Sequence, residues 1–394
     1  ATETGKSFNS ALGEVNGSIK LGEFFAGEGM RLYGRSLNSG MAGKQSFTIR
    51  ESIGVSALIV PANTPIANIC WKIFPSLICG NSVILKASED SPEIALLIAS
   101  LATDAGILDG VLNVLQGYGN ECGSHLVKSE KVDLISFTGS TETGKLINKI
   151  VSEKLTKISL ELGGKNPFIV CNDADIQNAI HWALLSSFSN AGQRCAASSR
   201  IIVYENIYAD FVNKFVNSAM NLKLGIENND DLGPLISKKQ LDKVFSYVDK
   251  AVNDGGTILC GGNQKSSKIK GDGYYYLPTI IENLDIKSDF CQHEIFGPVV
   301  SIHKVKSNQE ALVLANSTNF GLTSAVHTTN INTALWFTRN IVAGVVNVNL
   351  PTFGSEPHMP FGGFKLSGNG TREPGSEAID FYSELKNISL YSYL

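Results

Sequence analysis

Residues 132–152 read VDLISFTGSTETGKLINKIVS. The apolar run VDLISF (132–137) has strand length, Thr138-Gly139-Ser140 interrupts it, and 141–152 carries apolar residues near helical spacing. A strand, a glycine-rich turn and a helix in that order present the unpaired N–H groups of a helix start at the end of a strand. Outward from this stretch, further strand-length runs are VSALIV (55–60), SVILK (82–86), VLNVL (111–115), FIV (168–170) and RIIVY (200–204). Helix-like segments at 91–105, 174–187 and 208–222 separate most of them. The alternation predicts an α/β fold, with parallel sheets covered by helices on both faces. A second series predicts a second α/β domain: VVSIH (299–303), a helix near 309–316, TSAVH (323–327), a helix near 332–340 and VVNVN (345–349). GGNQKSSKIKGDG (261–273) reads as a surface loop. The run 52–71 is uncharged and long enough to cross a bilayer, but Pro61, Asn63, Pro65 and Asn68 interrupt it, so it reads as a buried strand and turn.

A chain of 394 residues is too long for one ordinary core and predicts two or three domains, at about 100–200 residues each. With 43% hydrophobic and 18% charged residues the chain can bury such cores, which argues against disorder. A formal net charge of −4 and a pI near 5.9 leave no broad basic surface, so neither nucleic acid nor an anionic membrane is expected as a partner. A small molecule is. The seven cysteines are odd in number and scattered through apolar runs, unlike a secreted disulfide framework, and point to a reducing cytoplasm. No Cys-x-x-Cys or paired Cys/His spacing suggests zinc, and no metal is expected. The first residues, ATETGKSFNS, lack the basic start and apolar core of a signal peptide.

Several short motifs carry chemistry, each beside a plainer structural alternative. Gly139-Ser-Thr-Glu-Thr-Gly144-Lys145 nearly spells a nucleoside triphosphate loop, but Leu146 stands where a magnesium-holding Ser or Thr is required. Gly5-Lys6-Ser7 is a second partial match, and no G-x-G-x-x-G follows a strand. On spacing alone, Gly139–Gly144 is equally an ordinary helix start. Lys86-Ala-Ser-Glu89 ends a predicted strand, where open α/β sheets bind ligands. A carboxylate there could accept hydrogen bonds from both ribose hydroxyls and repel a 2′-phosphate, favouring NAD over NADP. A charged strand end facing solvent fits the same residues. Glu161-Leu-Gly-Gly-Lys165 alone is a turn with an acid beside two glycines. Gly192-Gln-Arg-Cys195 places a thiol beside Arg194, a cation that could lower its pKa, although most lone cysteines are packing residues.

Taken in order, these segments resemble the aldehyde dehydrogenase superfamily across nearly the whole chain. The resemblance runs from ETGK (3–6) through Pro61-Ala-Asn63, Gly80-Asn81, Lys86–Glu89, Phe137-Thr-Gly-Ser140, Glu161-Leu-Gly-Gly-Lys165, Gly192-Gln-Arg-Cys195 and Glu294-Ile-Phe-Gly-Pro298 to Pro360-Phe-Gly-Gly363. Glu161 and Cys195 stand 34 positions apart, as the family's base and nucleophile do.

The resemblance implies oxidation of an aldehyde to its acid with NAD, NADP being possible. The Cys195 thiolate would attack the carbonyl, the Asn63 amide and the Cys195 N–H would stabilise the oxyanion, and Glu161 would activate the water that hydrolyses the thioester. Members that pass the acyl group to coenzyme A tend to lack this acid. The resemblance also implies Lys72 as a supporting residue. Ser140, with Gly139, falls to the pyrophosphate, Lys86 and Glu89 to the adenosine ribose, and Glu294 with Phe296 to the nicotinamide ribose and its surroundings. Ala62 stands where the family usually has Trp, and Thr64, Asn68 and Ser189 are small or polar where larger apolar residues are common. With Trp71, Arg194 and Asn349 they suggest a pocket for a small polar or carboxylated aldehyde, and residues 349–360 resemble the semialdehyde-oxidising branch.

The implied fold is a Rossmann-like cofactor domain (1–32 and 53–163), an α/β catalytic domain (164–380) and a small β oligomerisation arm (33–52 and 381–394) that builds a homodimer or homotetramer. Family chains usually carry a further N-terminal segment before the ETGK helix, which this sequence lacks. The competing readings are a non-catalytic member of the same fold and a phosphate-loop NTPase. Intact Asn63, Glu161 and Cys195 argue against the first, and Leu146 against the second.

Overall fold

The strand Val55–Ile59 lies at the middle of a five-stranded sheet, where its residues Ser56, Ala57 and Leu58 are completely buried. Across the sheet the order is Leu112–Leu115, Ser82–Lys86, Val55–Ile59, Leu134–Thr138 and Lys157–Glu161. The first four strands run parallel. Numbered along the chain this is the order 3-2-1-4-5, so the connections change direction between Val55–Ile59 and Leu134–Thr138, the place where open α/β sheets leave a crevice for a ligand. The computed structural model describes residues 1–262 and 273–392, and its internal contacts divide the chain into two units. This sheet belongs to the unit formed by Glu14–Leu160, Ser355–Phe361 and Thr371–Leu394. Its core packs Leu58, Val60, Ile69, Ile73, Val83, Leu85 and Leu134 against Leu21, Phe25, Ile379 and Tyr382.

The same unit holds a nine-residue antiparallel ladder between Lys44–Ser52 and Ser383–Tyr391, with Ser36–Leu37 on the other side of Lys44–Ser52. The second unit comprises Ala1–Gly13, Glu161–Gly354 and Gly362–Gly370. Its seven-stranded sheet has the order Thr257–Cys260, Thr279–Glu282, Val299–Val305, Ser198–Tyr204, Asn166–Val170, Thr323–His327 and Val345–Val348. Only the first pair is antiparallel. Helices Ile176–Phe188 and Glu205–Met220 bury Phe188, Phe211 and Phe215 against Phe168, Ile201 and Val300 of the strands.

The strands and helices expected from periodicity are present with ends shifted by a few residues, as for Glu93–Asp104 against 91–105 and Glu205–Met220 against 208–222. The run 52–71 is corrected. It holds a strand and a turn, but a helix Pro65–Ile78 begins inside it. Pro65 occupies the first helical position, where its missing N–H costs nothing, so the proline that argued against a bilayer span is a helix start. ETGK is also not helical, since the first helix is Phe8–Gly29. Within 261–273, expected as a surface loop, residues 263–272 lie outside the described residues. Among the described residues no helix is long and apolar enough to cross a membrane, and no group of His, Cys, Asp and Glu could hold a metal ion.

Candidate active site

Cys195 sits on a loop that cannot drift. Just before it, Asn190, Ala191 and Gly192 take φ values of 55°, 53° and 69°, a left-handed path that costs the two non-glycine residues and must be held from outside. The buried Gln193 supplies part of that hold, accepting from the Ile236 N–H at 2.9 Å and donating to the Asn190 carbonyl at 3.3 Å. A Cβ at Gly192 would lie 2.1 Å from the Gly297 carbonyl oxygen, so only glycine allows this approach. Past the turn, Asn166 donates to the carbonyls of Cys195 at 2.7 Å and Ala197 at 2.8 Å, and accepts from the Thr323 N–H at 3.1 Å. Thr352 donates to the Ala196 carbonyl at 2.6 Å. Arg194 lies over the Phe353 ring, 5.0 Å from its centre.

The two glycines after Glu161 have separate spatial reasons. A Cβ at Gly163 would stand 2.4 Å from a Glu294 carboxylate oxygen, and one at Gly164 would stand 2.7 Å from the Cys195 carbonyl oxygen. Gly164 also donates its N–H to Glu294 Oε1 at 3.1 Å. Glu161, buried at the end of its strand, and Glu294 therefore share one neighbourhood with the thiol. That neighbourhood pushes the Cys195 thiol up to about 12, first through burial and then through the negative fields of Glu294 and Glu161. The Ala196 N–H and Arg194 work in the opposite direction, with Arg194 the smallest contributor. Arg194 does act to lower the thiol, as its place beside Cys195 suggests it could, but burial and the two carboxylates outweigh it. Burial also raises the Glu294 carboxyl, against the Gly164 hydrogen bond and the charges of Lys243 and Lys165. Phe296 is held at φ 65° while Gln240 donates to the carbonyls of Ile295 and Phe296, each at 2.8 Å.

Cys171 and Cys291, other cysteines of this unit near charged groups, are both buried. Cys291 is completely buried, with Sγ 3.7 Å from His303 Nε2. The Asn349 amide donates to the Thr328 carbonyl at 2.9 Å and accepts from the Thr328 N–H at 3.0 Å. The Ser189 hydroxyl donates to the Leu185 carbonyl at 2.6 Å.

In the five-stranded unit, Lys86 and Gly139–Ser140 flank the carboxyl end of Val55–Ile59, at the switch point of the strand order. Lys86 is buried, with Nζ 3.2 Å from Glu89. A Cβ on Gly139 would lie 2.5 Å from the Phe137 ring, and Ser140 caps the helix Thr141–Ser152 by accepting from the Thr143 N–H. A crevice with a helix start on one side and a buried cation with a partly exposed carboxylate on the other fits a dinucleotide's pyrophosphate and ribose. Asn63 follows the same central strand. Asn68 donates to Asn63 Oδ1 at 3.3 Å and to both Thr64 oxygens, and Trp71 packs edge-on to Phe361 with ring centres 5.2 Å apart. Lys72 is buried with Glu373 at 2.9 Å and Ser136 at 2.5 Å, and Tyr382 donates to the same carboxylate at 3.3 Å.

Sequence reading missed Glu373, Ser136, Asn166 and Thr352. None of them belongs to a motif, and the partners of Lys72 and Cys195 lie 29 to 301 positions away. The model of the aldehyde dehydrogenase family matches residues 1–388. The chain belongs to the aldehyde dehydrogenase family. It is 37% identical to the alpha-ketoglutaric semialdehyde dehydrogenase of Bacillus subtilis over 388 residues, covering 98% of this chain and 80% of the relative. The retinaldehyde dehydrogenase 3 of Rattus norvegicus is 38% identical over 98% of this chain and 75% of its own length. Betaine aldehyde dehydrogenase of Staphylococcus aureus, solved with NAD+, superposes with a TM-score of 0.96 at 35% identity, covering 98% of this chain and 77% of that one. This aldehyde dehydrogenase is therefore an α/β oxidoreductase. Three relatives named for three different aldehydes at similar identity leave its own substrate to be argued from its residues.

Proposed function

We propose that this aldehyde dehydrogenase oxidises a small polar aldehyde, of the semialdehyde type, to the free acid with NAD, using Cys195 as nucleophile and Glu161 as base. The observation that carries the reading is the single neighbourhood of Cys195, Glu161 and Glu294 opened by Gly163 and Gly164. Burial and two carboxylates keep the thiol protonated, so it needs a base before it can attack a carbonyl, and Glu161 is one of the two acids whose field reaches it. The thiol proton goes to the carboxylate, sulfur bonds the carbonyl carbon, and the oxygen takes the negative charge. The Cys195 N–H is a donor assigned to that oxygen. Asn166 holds the Cys195 carbonyl, and with it the plane of the peptide that carries the Ala196 N–H, the backbone group that favours the thiolate. The nicotinamide, when bound, supplies the two-electron acceptor that converts this adduct to a thioester. The carboxylate passes the thiol proton on to solvent; Glu161, ionised again, then takes a proton from water, the hydroxide adds to the thioester, and Cys195 leaves as thiolate.

Glu89, partly exposed beside Lys86, favours the hydroxyls of NAD over a 2′-phosphate. Ala62, Thr64 and Asn68 support a short polar substrate over a long alkyl chain, and the Bacillus subtilis relative is named for such an aldehyde. Seven free thiols suit a reducing cytoplasm, and the ladder Lys44–Ser52 with Ser383–Tyr391 supplies the arm through which we expect a homodimer or homotetramer. The test is the near-ultraviolet absorbance rise of reduced nicotinamide with NAD and succinate, glutarate or oxoglutarate semialdehyde, without coenzyme A. Cys195→Ser abolishes it. Glu161→Gln slows turnover roughly 10²–10⁴-fold, because thiol attack and thioester hydrolysis both lose their base. Turnover that requires coenzyme A, or that survives Cys195→Ser, would refute the proposal.

A further inference from the structure

The residues that follow the strand Val345–Val348 are held one by one. Asn349 turns the chain at φ 55°, with its amide hydrogen-bonded to both backbone groups of Thr328. Leu350 gives its carbonyl to His327 Nε2 at 3.2 Å, and because a carbonyl only accepts, that nitrogen carries the ring proton. Pro351 gives its carbonyl to Asn347 Nδ2 at 2.6 Å, and Thr352 donates its N–H to Ser186 Oγ at 3.1 Å. His327, Ser186 and Thr352 are buried, so the bonds they make are shielded from water.

The strap built in this way reaches both chain neighbours of the thiol. Thr352 donates from its hydroxyl to the Ala196 carbonyl at 2.6 Å, and the Arg194 guanidinium lies over the ring of the next residue, Phe353, 5.0 Å from its centre. A peptide is planar, so a hydrogen bond to its carbonyl fixes the direction of the whole unit. Asn166 holds the peptide between Cys195 and Ala196, and Thr352 holds the one between Ala196 and Ala197. With both planes set, neither backbone angle of Ala196 is free to turn, and the Ala196 N–H keeps its aim at the thiol. Removing the Thr352 hydroxyl releases one of the two planes.

We infer that Thr352 is a positioning residue for the reaction: anchored at its own N–H and at the residues Asn349, Leu350 and Pro351 before it, it holds the backbone that follows Cys195 and so the direction of the N–H that faces the thiol. The inference rests on the proposed role of Cys195 as nucleophile. Thr352 acts through Ala196 and needs no contact of its own with substrate or cofactor.

Two readouts test it in Thr352→Val, Thr352→Ser and Ser186→Ala: steady-state kcat and KM with three aldehydes of different size and charge, and the rate at which iodoacetamide labels Cys195 at pH 9, followed by mass spectrometry of the Cys195 peptide. Thr352→Val keeps the shape and loses the donor, and should lower kcat roughly tenfold for every aldehyde with KM little changed. It should also slow labelling about three- to tenfold, because an N–H off its line stabilises the thiolate less. Thr352→Ser keeps the hydroxyl and should stay within about twofold of the wild-type chain in both readouts. Ser186→Ala, which loosens the strap at the Thr352 N–H, should lower kcat about threefold and carries the test if Thr352→Val does not fold. Thermal melting accompanies each variant. A Thr352 that serves the fold alone would lower the melting temperature of Thr352→Val and leave kcat and labelling at wild-type values, and one that lines the pocket would change KM differently for each aldehyde. Either result overturns the inference. If Cys195→Ser keeps normal turnover, the parent reading fails and takes this one with it. If Cys195→Ser is inactive and Thr352→Val is not slowed, only the present inference falls.

Discussion

Gly164→Ala is the substitution that tests the architecture of the thiol site most directly. Gly164 has no left-handed backbone angle, so an added methyl meets no conformational barrier and its whole cost is spatial. The new Cβ would stand 2.6 Å from Asn166 Oδ1 and 2.7 Å from the Cys195 carbonyl oxygen, where an ordinary contact begins at 3.4 Å. The Cys195 carbonyl must therefore retreat by about 0.7 Å, and it is the group Asn166 holds at 2.7 Å. Overpacking of this kind typically costs about 1–3 kcal/mol of stability. A misplacement of about 1 Å at a reacting group costs on the order of 10²-fold in rate. We therefore expect Gly164→Ala to fold, melt several degrees lower and lose about 10–10²-fold in kcat. Gly17→Ala is the control, since nothing lies within 4 Å of its Cβ on the helix Phe8–Gly29, and it should gain about 0.5–1 kcal/mol with unchanged kcat. Wild-type turnover in Gly164→Ala, measured by reduced-nicotinamide absorbance, would show that the Cys195 peptide is not held where we place it.

Alkylation of Cys195 by iodoacetamide should accelerate about tenfold per pH unit through neutrality without a plateau below pH 10, because burial and two carboxylates push the thiol up to about 12. Glu294→Gln should speed it at fixed pH. Lys72→Met should destabilise the protein by about 3–5 kcal/mol in denaturant titrations, since Glu373 would stay buried without its cation, and Lys72→Met/Glu373→Gln should recover part of the loss. Lys165 is buried and lowered to about 7, first by burial, so the unfolded chain binds its proton between about pH 7 and 10.5 when the folded chain does not. Stability should therefore rise with pH across that window through this group. Chemical denaturation at pH 7 and 9 should show a smaller rise for Lys165→Met than for the wild-type chain, and equal rises would refute the burial argument.

The α/β class was readable because strands such as Val55–Ile59 and Asn166–Val170 are buried on both faces and appear as unbroken apolar runs. The helix Pro65–Ile78 was hidden for a related reason. It lies within the core, so Ile69, Ile73 and their neighbours give no polar face, and Pro65 was read as a breaker instead of a first residue. Helix Lys238–Asn253 has a clear apolar stripe through Leu241, Val244 and Val248 and could have been found from the sequence. At the site, Cys195 and Glu161 came from ordered motifs, and the structure supplies what spacing could not: why both glycines of Glu161-Leu-Gly-Gly-Lys165 are needed. Asn166 follows that motif directly, yet its pairing with Cys195 is a property of adjacent parallel strands that no local pattern encodes.

The ladder between Lys44–Ser52 and Ser383–Tyr391 also sets a timetable for synthesis. The core around Leu58 and Ile73 needs Ile379, Phe381 and Tyr382, which leave the ribosome more than 200 residues after the five-stranded sheet is made. At about 5–20 residues per second that is a wait on the order of 10–40 s. During it the first sheet has all five of its strands but lacks the segment that covers part of its apolar face. The other unit takes its last segment from Gly362–Gly370, whereas this one stays open to chaperones, or to other nascent chains, until Ile379, Phe381 and Tyr382 have been added.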